Sequence, residues 1–297
     1  MALYENIMGD LHRRWTELEL ARVPDDRDPE NVFARLERAE ASQSRESVAE
    51  AGRLTRIGLV VMPKSHPLRS AFDDGICSYY ATLIERRLYL SAAQHDAWAK
   101  IALDAGEEAR QLKPHSASPH GCLAQLFGAM GQWDRGLAEA NYIIRTFPLT
   151  IVGYEVRERL NFERADFRDA LGDLTRVAQT SGAACVGDYP DQGGCHGELG
   201  LVHLFLREDE AAAAEFREAA VEEPNSPFPP FFLAAALARM GTQDAAFNSA
   251  SVYRKLRTDD SDWYVLAISD APAFQVEARA IRGALRTVSL SEPRASR

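Results

Sequence analysis

Helix-stopping residues recur in this chain at a fixed interval, and few folds are open to a sequence with that property. Pro114 and Pro148 stand 34 residues apart, and one further step of the same length reaches Gly182. Each closes a stretch whose apolar residues repeat three and four apart, the stripe of an amphipathic helix. Proline removes an amide donor and obstructs the turn before it, and glycine costs a helix backbone entropy, so helices end at such positions. Small residues keep the same period, since Gly200 and Ala234 are again 34 apart. This length accommodates two helices, a turn and a link. One such pair cannot bury its own stripe, so neighbours must stack.

The units can be read individually. Residues 197–224 place Leu199, Gly200, Ala212, Phe216, Ala219 and Pro224 in frame, and the unit ending at Pro148 places Leu123, Ala124, Phe127, Gly131, Trp133, Gly136, Ala140 and Ile143. Between them Tyr154, Phe167, Ala170, Leu171, Leu174 and Val177 fit, but Arg157 and Glu158 stand where Leu and a small residue belong. A later unit has Leu233, Ala234, Leu237, Gly241, Ala246, Ala250 and Tyr253 without a closing proline, and residues 83–114 keep only Ala102, Ala109 and Pro114. Small residues at contact positions set the distance between helices, with larger apolar residues filling the space alongside.

These residues resemble the tetratricopeptide repeat over about residues 83–258. The resemblance implies an all-α, right-handed superhelix of antiparallel helix pairs that binds a protein or peptide in its concave groove. Carried over position by position, the groove comprises Arg87, Gln94, Gln125, Glu155, Arg159, Phe162, Leu201, Leu204, Phe231 and Arg239. Cations beside apolar surface suit an extended or helical peptide carrying acidic and hydrophobic residues. The Lys and Asn set with which chaperone-binding members hold a C-terminal carboxylate is not reproduced. The stretch FPPFFLAAALARMG is also similar to repeat regions of bacterial signalling and regulatory proteins.

Outside the array, residues 1–82 read as helical. Tyr4, Ile7, Met8, Leu11, Trp15 and Leu18 form one stripe, Asp28 and Pro29 announce a second helix through Val32, Phe33 and Leu36, and a third runs from about Ser47 to Met62. Pro63 and Pro67 turn the chain before a fourth helix from Leu68 to Ile84. Residues 259–297 read as a helix started by Pro272, with Phe274, Ala278, Ile281 and Leu285 on its stripe, capping the array ahead of a loose tail.

The insertion at about 182–196 lengthens one period from 34 to 42 residues, and loops on rigid scaffolds often carry function. It holds Cys185, Cys195 and His196, with His203 two turns on. Three readings stand: a zinc site, a Cys185–Cys195 disulfide, or plain loop and core residues, the last needing no further assumption. Gly194, Gly197 and Gly200 match neither phosphate-binding loop, and no nucleophile elbow or His-Glu-x-x-His occurs. Neither an enzyme nor a cofactor is expected.

A net charge of −10 disfavours a phosphate-gripping nucleic-acid binder, despite Arg279, Arg282, Arg286, Arg294 and Arg297 near the C-terminus. No apolar run is long enough to span a membrane. Four widely spaced cysteines, read as reduced, and the acids Glu5 and Asp10 in the first helix point to the cytoplasm. The expectation is a non-enzymatic interaction scaffold. The alternative is a ligand-sensing regulatory module of a bacterial signalling or transcription system, closing Trp133, Tyr189 and Phe231 over a small molecule.

Overall fold

The structure, a computed structural model, describes residues 45–85, 91–181, 194–257 and 261–291, together with a few positions between 28 and 36. Every regular element among them is a helix. The expectations for the first helix, Arg87, Cys185, Tyr189 and the tail beyond 291 fall outside the described residues. The chain divides into two compact units, Met1–Met130 and Gly131–Arg297.

In the first unit α1 (Arg45–Val61), α2 (Arg69–Glu85), α3 (Ala92–Leu112) and α4 (Ser118–Ala129) surround a core containing Leu54, Ile57, Phe72, Ile76, Tyr80, Leu83 and Trp98. Val32 and Leu36, on the predicted second helix, are buried in the same core. The two prolines after α1 turn the chain as expected. Arg69 secures that turn by donating to the Met62 carbonyl at 2.8 Å and to Asp73 at 2.7 and 2.9 Å. A Cβ at Gly58 would fall 1.9 Å from the Phe72 ring, so α1 and α2 approach as closely as they do only with glycine there.

Cys77 of α2 and Cys122 of α4 form a buried disulfide with Cα atoms 6.1 Å apart, within the normal range. Gly106 of α3 makes the room, since a Cβ there would lie 2.9 Å from the Cys77 sulfur. Cys195 of the second unit is also disulfide-bonded, and no described cysteine is free. The expectation of reduced cysteines is thereby corrected: spacing along the chain says nothing of which sulfurs folding brings together. With it goes the cysteine argument for a reducing compartment.

The second unit consists of α5 (Trp133–Thr146), α6 (Val152–Glu163), α7 (Phe167–Ser181), α8 (Gly194–Phe205), α9 (Asp209–Glu222), α10 (Phe228–Arg239) and α11 (Gln243–Leu256), then a short α12 (Ser261–Val265) and α13 (Pro272–Thr287). The period is visible in the lengths. Twelve-residue first helices α8 and α10 are followed by three-residue turns and fourteen-residue second helices, and five residues link α9 to α10. The middle residue of each turn is left-handed: Gly131 and Gly241, but also Ala165 (φ 70°) and Arg207 (φ 63°). Each later turn closes with the same bond, an amide donating five residues back, as in Asp166 to Asn161, Glu208 to His203 and Thr242 to Leu237. Sequential helices pack antiparallel, and α8 also touches α10, so first helices lie side by side in a TPR-like array.

Gly200 carries the close approach within the α8–α9 pair, where a Cβ would stand 2.8 Å from the Phe216 ring. Gly200→Leu is expected to cost about 3 kcal/mol, while Ala214→Leu on the exposed side of α9 changes stability by less than about 0.5 kcal/mol. Urea denaturation midpoints compare the two, and equal midpoints would contradict this register. Glu215 is no neutral control, because its carboxylate holds His196 at 2.6 Å.

The stripe on α13 is as predicted, with Phe274, Ala278, Ile281 and Leu285 buried, but its docking is not a simple end cap. The helix lies on the first helices α8 and α10. Phe274 meets Phe205 at 4.7 Å, Phe162 of α6 at 5.5 Å and Phe167 of α7 at 6.3 Å. Polar tethers flank it: Arg207 to Glu277 at 2.9 Å, Arg282 to the Leu266 carbonyl at 2.7 Å, and the Ser269 hydroxyl to the Glu163 carbonyl.

Candidate partner-binding surface

The described residues assigned to a groove fall into four groups. Phe162, Leu201, Leu204 and Phe231 are core; Phe162 meets Phe274 of α13, and Trp263 of α12 packs edge-on against Phe231 at 5.0 Å. This corrects their placement on an open surface. Phe274, Ala278, Ile281 and Leu285 of α13 belong to the same core. Arg239 is engaged as well, bridging to Asp209 at 3.0 Å and to the Leu204 carbonyl at 3.1 Å.

In the first unit Gln125 donates to Glu85 at 3.1 Å, tying α4 to α2, and Gln94 opens α3 beside its Ser91 cap. Glu155 and Arg159, both on α6, are part-exposed.

α6 is also where the repeat pattern fails, and the structure accounts for the failure. Arg157, in the leucine position, crosses to α7 and α5. It meets Asp173 through two nitrogens at 2.6 and 2.8 Å and Asn141 at 2.7 Å, and lies 5.5 Å over the Tyr154 ring. Asn161 adds a longer bond to Asp173 at 3.4 Å. The hydrogen bond that Arg157 donates to Asp173 raises its pKa and holds its charge. A forked pair thus replaces apolar packing between α6 and α7.

Glu158, in the small-residue position, has no such partner. Burial pushes its carboxyl well above the usual range, Glu198 of α8, Asp173 of α7 and Glu163 push the same way, and Arg159 opposes them. A carboxyl that binds its proton more tightly folded than unfolded stabilises the fold at low pH and loses that contribution as pH rises through its folded value. Stability is therefore expected to decline as pH rises above the ordinary Glu value of 4.5 toward the raised one. Glu158→Gln should flatten that part of a midpoint-against-pH curve, and an unchanged curve would remove Glu158 as the cause.

The Cys/His group does not assemble a zinc site among the described residues. Cys195 is committed to a disulfide and offers no thiolate, His196 pairs with Glu215, and His203 pairs with Glu208 at 2.7 Å. The Glu215 hydrogen bond raises the His196 pKa. No described group of three His, Cys, Asp or Glu side chains is arranged to hold a metal ion. No described helix is long and apolar enough to cross a membrane.

No protein-family model matches this chain, and no curated protein does. Among solved structures it is similar to MamA, at 14% identity and TM-score 0.45 over 56% of this chain and 95% of that one. It is similar to YrrB, described as a TPR protein with an unusual peptide-binding site, at 16% identity and TM-score 0.43 over 63% and 98%. It is also similar to PilF of Pseudomonas aeruginosa, at 16% identity and TM-score 0.48 over 73% and 93%.

Proposed function

We propose that this protein is a non-enzymatic interaction scaffold or adaptor whose second unit presents its row of first helices to a protein partner. One observation carries the reading: the row formed by α8 and α10, reached from α6, accepts an amphipathic helix within the same molecule, namely α13. A surface with that shape and apolar content is a helix-binding surface by construction. The charged stretch of α6 beside it, with Glu155 and Arg159, supplies a polar rim where charge decides which partner is admitted.

The buried Cys77–Cys122 bond and the bonded Cys195 support a working place in an oxidising compartment, because cytosolic thiol buffers keep such cysteines reduced.

Affinity capture with the intact chain and with a Glu155→Lys/Arg159→Glu variant tests the scaffold reading. A discrete partner retained by the first and lost by the second, with both chains equally folded, is the expected result. Equal retention would move the interface elsewhere. Stabilisation by a metabolite, with no protein captured, would replace the scaffold by a ligand sensor.

A further inference from the structure

We infer that α13 is an exchangeable occupant of the partner site, and that the partner is an amphipathic helix carrying an aromatic residue followed by an acid at +3, a small residue at +4 and aliphatic residues at +7 and +11. The inference rests on the scaffold reading above and names the chemistry of its partner. The spacing is that of Phe274, Glu277, Ala278, Ile281 and Leu285, and the structure shows what each position meets. Phe274 enters a ring cluster built from three helices of the array. Ala278 and Ile281 are fully buried, as a helix crossing close over its neighbours requires. Glu277 reaches Arg207, whose left-handed turn position holds its side chain out at the rim of the same face.

Two features separate this helix from the rest of the array. First, it follows no repeat frame: it packs along the first helices α8 and α10, which already pack through second helices α9 and α11, and it touches second helices only through Phe167 of α7 and Arg254 of α11 among the described contacts. Removing α13 leaves the helix pairs of the array complete. Second, its outer side carries exposed Arg279, Gly283 and Arg286 with a single exposed aliphatic residue, Val276, so the helix buries one stripe only, the pattern of a ligand in a groove rather than of a central helix. An incoming helix of the same pattern would replace the burial that α13 gives up, so exchange exposes no additional apolar surface once complete. What favours α13 is its covalent tether, which carries α12 with Trp263 and Leu266 buried in the same core and presents α13 at an effective concentration of about 1 mM or more.

The test uses the full chain with a protease site placed in residues 258–260, ahead of α12. After cleavage, a fluorescent peptide with the sequence of residues 261–291 is added, alongside the same peptide carrying Phe274→Ala. The expected result is that the cleaved protein stays folded, that labelled peptide replaces the resident segment, and that Phe274→Ala weakens entry at least tenfold. With labelled peptide at about 1 μM, uncleaved protein should take it up about a thousandfold less well, the ratio of the tethered effective concentration to that of the peptide.

Unfolding on cleavage, or a folded protein that admits no peptide over a day, would make α13 a permanent part of the core and overturn the inference. A partner that depends on Glu155 and Arg159 yet never displaces the labelled segment would also overturn it while leaving the scaffold reading intact. Ready exchange without any partner at the α6 rim would sink the scaffold reading and leave α13 as a helix that trades only with its own copies, against the partner named here.

Discussion

Replacing Cys77 and Cys122 together by alanine is expected to cost the first unit about 4 kcal/mol, the chain-entropy value for a disulfide across a loop of 45 residues. The bond joins α2 to α4 inside a core that also contains Trp98 and Tyr80, so the loss should appear as a lower denaturation midpoint for that unit alone. Wild-type protein treated with reductant should reach the same midpoint as the double variant. Alkylation of native protein should find no free thiol at Cys77, Cys122 or Cys195. Thiols that react freely in protein prepared without reductant would overturn both the pairing and the oxidising compartment inferred from it.

The second large effect lies in the seam between α6 and α7. Asp173→Ala should destabilise the second unit by about 3 kcal/mol, because it strands Arg157 between helices with only Asn141 to receive it. The cost sits at the low end of the range for buried pairs, since the Arg157 side chain keeps 28% of its surface. Arg157→Leu combined with Asp173→Ala should recover most of the loss, as leucine is the residue the repeat places there and no charge is then left unpaired. A double-mutant cycle in urea measures the coupling. Simple additivity would mean that the fork contributes nothing to stability and that α6 is held by other contacts.

The same seam shows where sequence reading reached its limit. Leu199, Gly200, Ala212, Phe216 and Ala219 announced their pairing because each acts on a neighbour within the same 34-residue frame, and the structure places Gly200 against Phe216 accordingly. Arg157 and Glu158 broke the pattern visibly, but the compensating partners Asn141 and Asp173 lie 16 residues away on either side, at positions the pattern leaves unspecified. Gly131 and Gly241 marked two turns, while Ala165 and Arg207 take the same left-handed angles with no glycine to signal them.

The candidate surface was harder still. Phe162, Leu201, Leu204 and Phe231, expected to line an open groove, are buried in one core with the stripe of α13. Nothing in the repeat frame indicates that the stripe of α13 would return to it.

By itself, then, the sequence determined that the chain is helical, where most helices stop, and which small residues let consecutive helices meet, because those properties depend on hydrogen bonds and contacts between residues near in the chain. Only the tertiary structure decided which cysteines bond, how the charges of α6 are answered, and that α13 lies on the first-helix row. Those outcomes join residues as distant as Arg207 and Glu277, 70 positions apart, or Glu163 and Ser269, 106 apart. Contacts of that range are selected by the shape and burial of the assembled surface, which no local periodicity encodes.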